Sequence, residues 1–203
     1  MDTILQTKVT MDNFTTKYDK MESTPEEQLT KAVAGYQTTE EWRASSSVQE
    51  RRFVLRTPPA DIENYLTANA LAGGDKLSVS PFVFVDGTRG SVHAFCYLGS
   101  GLAGHRGILH GGVFGVLLDE CMGLASFTVL PNHIRVTASL EIAYQAPFRL
   151  PGIVVIKAMV EKSEGRKACV VAIVESPNRA TIFAKSKALL LEPRGTESMN
   201  QLI

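Results

Sequence analysis

One apolar stretch of the sequence, Val113 to Leu130, limits what this chain can fold into more than any other feature. The stretch is nominally long enough to cross a bilayer, but Asp119 and Glu120 stand near its middle, where ionised carboxylates are costly in lipid. It is hydrophobic on nearly every side, so the sequence predicts a helix buried inside a protein. Such a helix needs a surrounding layer, and a strongly curved antiparallel sheet is the simplest one.

Strand-like segments stand on both sides of this predicted central helix. Two precede it and are joined by a glycine-bounded turn, and four follow it, separated by turns rich in proline and glycine. This order predicts an α+β fold in which a curved antiparallel sheet of about six strands wraps around a long central helix. The predicted strands are Leu77–Val85, Ser91–Leu98, Ile134–Tyr144, Ile153–Glu161, Lys167–Glu175 and Thr181–Leu191.

The first fifty residues differ from the rest in charge. Residues 1–50 carry 5 basic and 9 acidic side chains (net −4), whereas residues 51–203 carry 16 and 12 (net +4). We therefore expect an extension at 1–50 and a main domain at 51–203. Within the extension, residues 1–22 predict a mobile tail, and Thr24 and Thr38 each begin a T-x-x-E capping box and so predict a short helix.

A third helix is predicted between the extension and the first strand. It runs from Pro59 to Ala72, and Gly73-Gly74 supplies the left-handed residue at which a helix commonly stops.

Composition excludes several functional classes. A formal net charge of zero argues against a nonspecific nucleic-acid binder. Three scattered cysteines (Cys96, Cys121 and Cys169) provide neither a disulfide framework nor a metal site, so we expect a reducing compartment. The N-terminal residues contain no apolar core of a secretory signal, and we predict a cytoplasmic protein with no membrane span.

The predicted central helix carries a glycine stripe, defined as Gly112, Gly115, Asp119, Gly123 and Ser126, which fall on one face at helical spacing. Glycine inside a helix costs about 0.5–1 kcal/mol relative to alanine, so this face is approached closely by a ligand or by another part of the chain. One hypothesis is that a carbonyl substrate lies along it, against Gly115, with Asp119 facing the carbonyl carbon or a water molecule. Plain packing is the equally weighted alternative. Glu120 points about 100° away, and we favour an exposed edge or a subunit interface for it.

Three motifs together resemble a known family. The first is His110-Gly111-Gly112 with Asp119 seven residues further on; the second is the segment from Thr137 to Pro147; the third is Ser163-Glu164-Gly165-Arg166-Lys167. In this order they resemble the hotdog-fold acyl-CoA thioesterases of the phenylacetate-degradation and mammalian thioesterase-superfamily type. The resemblance covers residues from about 75 to 192 and implies the hotdog fold.

The resemblance also implies a role for each matching residue. Asp119 corresponds to the general base or nucleophile, and Gly111, with Gly112 beside it, corresponds to the N–H donor to the thioester oxygen. A hydroxyl on the neighbouring subunit's strand holds the attacking water in the family, and Thr137 stands at that position. His110 either lies near the thioester or caps the helix.

One position departs from the family pattern. Many relatives have Asn or Gln about six residues before the motif histidine, where this chain has Gly104 followed by His105. Either His105 replaces that polar group or the site is tuned for another acyl donor. Arg106, Arg166 and Lys167 are candidates to bind the phosphates of coenzyme A, and their alternative role is that of solvated surface charges.

The sequence therefore predicts an acyl thioesterase that acts on an acyl-CoA or acyl-carrier-protein thioester. We expect a homodimer or homotetramer, with no metal and no cofactor other than the coenzyme A of the substrate. One alternative is a noncatalytic acyl-binding accessory protein with the same fold. The other is a hotdog dehydratase or hydratase, although no histidine follows Asp119 until His133.

Overall fold

A seven-stranded antiparallel sheet forms the framework of the molecule. The computed structural model describes residues 23–52, 59–130 and 135–194. The strand order across the sheet is β1-β2-β3-β7-β8-β9-β6. The bounds of these strands are β1 Val48–Arg51, β2 Phe82–Asp86, β3 Ser91–Leu98, β6 Val136–Tyr144, β7 Gly152–Glu164, β8 Lys167–Glu175 and β9 Ile182–Leu191. A separate short hairpin pairs β4 (Ala103–His105) with β5 (Ile108–Leu109).

The central helix α3 (Gly111–Phe127) packs on the inner face of this sheet. Leu118, Cys121, Met122 and Ala125 are fully buried, in a cluster with the inward side chains of the strands. This arrangement confirms the predicted sheet around a central helix. Within the described residues, no helix combines the length and the apolar character needed to cross a membrane.

Two helices of the extension cover part of the outer face of the sheet. α1 (Pro25–Ala34) and α2 (Thr39–Ala44) form a second hydrophobic cluster with β2, β3 and β7, in which Leu29, Val33 and Tyr36 pack against Phe95. Strand β1, Val48–Arg51, crosses the domain boundary expected at residue 50 and pairs with β2. The extension and the sheet therefore share one packed region.

The structure corrects the predicted strand count. The sheet has seven strands rather than about six, because β1 joins its edge. Its sequence, Val-Gln-Glu-Arg, shows no apolar alternation, and its burial does not alternate either. The predicted strand Leu77–Val85 begins later, at Phe82. The other predicted strands agree within a few residues, and residues 1–22 and 131–134 lie outside the described part of the chain.

The single helix predicted from Pro59 to Ala72 is wrong. The segment forms a 3-10 turn at Pro59–Asn64 and a π-turn at Leu66–Ala70, separated by Tyr65 in an extended conformation. The Asn69 side chain donates to the Glu63 carbonyl at 2.8 Å, a local bond that competes with a continuous helix. The predicted stop is confirmed, since Gly73 and Gly74 both have positive φ.

Candidate active site

The Asp119 carboxylate forms a hydrogen bond with a hydroxyl of strand β6. The Thr137 Oγ1 atom donates to Asp119 Oδ1 at 2.6 Å, and both residues are partly buried. Both belong to the same chain, whereas the family resemblance implied a hydroxyl from the neighbouring subunit. An aspartate that holds a hydroxyl at this distance has the two groups needed to orient a water molecule and accept its proton.

Glu120 lies on a different side of α3 and lines a cavity of about 380 Å³. The Thr67 hydroxyl donates to Glu120 Oε1 at 2.5 Å. Burial raises the pKa of Glu120 above its ordinary value, while the Thr67 hydrogen bond and the charge of Arg135 oppose this shift. Glu120 is therefore partly buried rather than at an exposed edge of the helix, because Leu66–Ala70 packs beside it.

Arg135 places a buried positive charge beside the two carboxylates. Its guanidinium lies across Gly123, where an added Cβ would come within 1.8 Å of Cζ, and it lies over the Phe127 ring at 4.9 Å from the centroid. It interacts electrostatically with Asp119 and Glu120, and burial lowers the pKa of Arg135. Sequence reasoning missed this residue. The absence of a side chain at Gly123, one turn after Asp119, was the only signal of a bulky neighbour.

The start of α3 provides one free backbone donor rather than the expected pair. His110 is the N-cap residue, and its Nδ1 atom accepts from the Gly112 N–H at 3.0 Å. Because Nδ1 is an acceptor, a neutral ring carries its proton on Nε2. Among the described residues, the Gly111 N–H has no acceptor, and it lies at the positive end of the helix. Gly111 is therefore the better candidate to bind a thioester oxygen.

The glycine at position 104 is explained by the same histidine. A Cβ at Gly104 would lie 2.9 Å from His110 Cδ2 and 3.0 Å from His110 Cα. The Asn or Gln of many relatives would collide with this ring. His105 follows in β4 and is exposed. The register of β4 shifts between Ala103 and His105.

A groove of about 290 Å³ adjoins the helix start. Tyr144 and Phe114 form part of its wall beside Gly111, and the Tyr144 hydroxyl donates to the Gly111 carbonyl at 2.8 Å. Gly115, expected to contact substrate, faces β6 instead of an open space, since a Cβ added there would touch the Ile142 Cδ1 atom at 3.6 Å. The packing explanation of the glycine stripe thus accounts for Gly115 and Gly123.

The two halves of the candidate site are far apart within one chain. Gly111 and Asp119 lie on one helix, eight residues apart. At a rise of about 1.5 Å per residue, their backbones are separated by about 12 Å along the helix axis. A single thioester carbonyl cannot contact the N–H of one and the carboxylate of the other in the same chain.

The three predicted phosphate-binding cations lie on two hairpin turns. Arg106 is exposed with φ of 33° in the turn between β4 and β5. Arg166 and Lys167 are exposed at the turn between β7 and β8, and Arg166 also donates to the Glu192 carbonyl at 2.9 Å. Ala168 and Thr137 both pair with Leu190, so this turn lies at the Thr137 end of β6, about 10 Å away across two strands.

Among the described residues, no group of three or more His, Cys, Asp or Glu side chains is placed to hold a metal ion.

This chain is similar in sequence to several known proteins. Residues 106–182 match the family model of the thioesterase superfamily. A mitochondrial protein of Candida albicans (strain WO-1) is 32% identical over 142 residues, which cover 68% of this chain and 64% of that protein. Acyl-coenzyme A thioesterase THEM4 of Rattus norvegicus is 32% identical over 91 residues, 45% of this chain and 38% of that protein. The chain spans less than two thirds of the length of either relative.

A solved structure shows the same fold. The crystal structure of a phenylacetic acid degradation-related protein from Ralstonia eutropha JMP134 matches with a TM-score of 0.52 and 17% sequence identity. The match covers 68% of this chain and 92% of that chain. The curved sheet around a central helix is therefore the hotdog fold that the sequence motifs implied.

Proposed function

This chain belongs to the thioesterase superfamily, and from that premise we propose that it hydrolyses an acyl-CoA or acyl-carrier-protein thioester to the free acid and the thiol. The observation that carries the proposal is the 2.6 Å hydrogen bond from Thr137 to Asp119 on the central helix. In the reaction, Thr137 orients a water molecule and Asp119 removes its proton as the oxygen attacks the carbonyl carbon. The thiolate then leaves and is protonated, and coenzyme A is present only as part of the substrate.

The negative charge that develops on the carbonyl oxygen is stabilised at the start of α3. The Gly111 N–H is the proposed donor, helped by the positive end of the helix and by the outward Nε2–H of His110. Loss of one such donor typically lowers kcat by about 10²–10³-fold. Gly112 contributes indirectly in this proposal, because its N–H holds the His110 ring in place.

The active enzyme is proposed to be a homodimer. Since Gly111 and Asp119 are about 12 Å apart in one chain, the donor at each site must come from the helix start of a second chain. Strand β6 contacts both residues, through Tyr144 and Thr137, and it lies at an edge of the sheet where another strand can pair. A two-fold axis beside β6 brings the Gly111 of each chain to the Asp119 of its partner.

Coenzyme A binding is proposed to use the two cationic turns. Within each chain, Arg166 and Lys167 lie on the side of Asp119 and Thr137. Arg106 lies instead near the helix start, five residues before Gly111. In the proposed dimer, Arg106 of one chain therefore approaches the turn of the other, and together they surround the site of the phosphates. His105 shares this turn and is exposed to the same ligand.

A complementation experiment tests the chemistry and the dimer together. Asp119→Ala removes the base, and Gly111→Pro removes the N–H with a residue that suits the first helical position. Each variant alone is expected to lose about 100-fold or more in free-thiol release from a panel of acyl-CoAs. Co-expression of both variants is expected to restore about a quarter of the wild-type activity, since half of the random dimers contain one intact site.

Other outcomes would contradict parts of the proposal. Full activity of Asp119→Ala would exclude Asp119 as the base. Two inactive variants without restoration in the mixture would place both groups in one chain. Sedimentation of each protein checks that the variants remain folded oligomers.

Gly104 supports a second candidate, a noncatalytic acyl-binding protein. The polar side chain that many relatives carry there is missing, and the His110 ring occupies the space. Binding of acyl-CoA without thiol release, by folded wild-type protein, would favour this candidate over hydrolysis.

The cytoplasmic location remains a proposal. The name of the Candida albicans relative places that protein in the mitochondrion. Fractionation of cells that express the full chain tests the location, and recovery in mitochondria would overturn it.

A further inference from the structure

The cavity beside Glu120 has mixed walls. Small or apolar side chains such as Ala68, Ala72 and Leu117 alternate with oxygen-bearing groups, among them Thr67 and Ser78. Its volume of about 380 Å³ lies within the range of small-molecule sites. Glu120 also lines this cavity, and a pure hydrocarbon chain would leave its Oε2 atom without a partner, so the walls favour a ligand that is largely apolar but carries an oxygen.

Glu120 has a free hydrogen-bonding position at this cavity. Its Oε1 atom accepts from Thr67, whereas Oε2 has no hydrogen-bond partner among the described residues. Burial raises the pKa of Glu120, and its Oε2 atom can accept a hydrogen bond from a ligand. Glu120 can therefore pair with a ligand hydroxyl.

The other charged residue of the cavity wall, Arg52, already has several interaction partners. Arg52 forms an ion pair with Glu26 at 2.8 Å, donates to the Ser80 carbonyl at 2.9 Å and lies over the Phe82 ring at 3.9 Å from the centroid. An anionic ligand would have to displace these contacts. Glu120, by contrast, keeps its Oε2 atom available to a ligand.

The cavity shares the central helix with the proposed base. Glu120 follows Asp119 directly, and Leu117, three residues before Glu120, lines the same cavity. On the premise of the proposed function, we propose that this cavity holds the acyl part of the thioester and that Glu120 hydrogen-bonds an oxygen substituent on the acyl chain. Glu120 is then a specificity-determining residue, and the preferred substrates are hydroxyacyl thioesters.

Matched pairs of thioesters test this inference. Each pair consists of a saturated medium-chain acyl-CoA and its derivative with a hydroxyl group near the thioester, at mid-chain or at the terminal carbon. Thiol release gives kcat/KM for each, and calorimetry with the Asp119→Ala protein gives Kd without turnover. For at least one position, we expect a preference of about tenfold for the oxygenated member, the effect of one net hydrogen bond.

Variants of Glu120 assign the preference. Glu120→Leu is expected to abolish it, whereas Glu120→Gln, which still accepts a hydrogen bond, is expected to retain most of it. Thr67→Val tests the supporting hydroxyl, and the exposed Glu161→Gln serves as the control. Equal use of both members of every pair, or a preference that survives Glu120→Leu, would overturn the inference.

Failure of the proposed function is distinguishable from failure of this inference. If no acyl-CoA is hydrolysed, the thioesterase proposal fails, but the calorimetric comparison still shows whether Glu120 selects oxygenated acyl groups.

Discussion

At the scale of single residues, the helical glycines on the β6 side of α3 each face a different neighbour. A Cβ at Gly111 would lie 3.1 Å from the Tyr144 hydroxyl oxygen, one at Gly115 would touch Ile142, and one at Gly123 would overlap the Arg135 guanidinium. The sequence indicated a close approach to this face, and that expectation is confirmed. It did not identify the neighbours, because all three belong to a segment that reaches the helix only through long-range pairing.

The different surroundings of Gly115 and Gly123 predict that alanine changes protein stability in opposite directions at these two positions. Gly115→Ala makes an ordinary contact and is expected to raise the free energy of unfolding by about 0.5–1 kcal/mol, the usual gain of alanine in a helix. In Gly123→Ala, the added methyl group must displace the Arg135 guanidinium. The free energy of unfolding of this variant is therefore expected to be about 1–3 kcal/mol lower than that of Gly115→Ala. Urea unfolding of the two variants measures both values. Equal gains would mean that Arg135 moves aside without cost.

At the scale of elements, two segments with the same T-x-x-E pattern behave differently. Thr24 is extended, its hydroxyl accepts from the Glu27 N–H, and the Glu27 side chain accepts from the Thr24 N–H, so the predicted capping box is confirmed. Thr38 begins α2 with ψ of 3° and makes no side-chain capping bond. Its Oγ1 atom is buried without a hydrogen-bond partner among the described residues.

A matched pair of substitutions tests this contrast. Thr24→Ala is expected to lower the free energy of unfolding by about 0.5–2 kcal/mol, the usual cost of losing an N-cap. Thr38→Ala is expected to change it by less than about 0.5 kcal/mol, since no bond is lost. Denaturant titrations of both variants provide the comparison, and a larger effect at Thr38 would contradict it.

The elements that the sequence predicted well are those with a strong local pattern. Strand β8, Lys167–Glu175, buries alternate side chains, and the central helix is marked by its long apolar run. The helix predicted from Pro59 to Ala72 was wrong because the conformation of this segment also depends on partners far along the chain, such as Glu120 for Thr67. The candidate site shows the same division: Asp119 and Thr137 were identifiable by motif, whereas Arg135 and the cavity required the folded chain.

At the scale of the whole molecule, the extension packs over a titratable side chain of the sheet, His93. His93 of β3 lies under the Trp42 ring at 4.2 Å between centroids. Burial, followed by the nearby Lys157 charge, lowers the pKa of His93 to about 4, while Glu175 opposes this shift and Arg179 adds to it. Protonation of His93 is therefore disfavoured while the extension packs over it.

The sign of the resulting pH dependence follows from proton binding. The unfolded chain protonates this histidine below its ordinary pKa of 6.5, and the folded chain does so only near 4. Between these values the unfolded state binds more protons, so stability falls as the pH falls. From about pH 7 to about pH 5, the expected loss from His93 is about 2 kcal/mol. Unfolding curves of wild type and His93→Gln measure it, and parallel losses in both proteins would exclude His93 as the source.

The position of Trp42 also gives the protein a built-in optical reporter. Trp42 is the one tryptophan of the chain, and its indole packs between the extension and the sheet, against Phe84 and His93. The tryptophan fluorescence of the protein therefore comes entirely from the contact between the extension and the sheet. Release of the extension would expose the indole to water and shift the emission to longer wavelength, so docking of residues 23–44 can be followed in solution without a label.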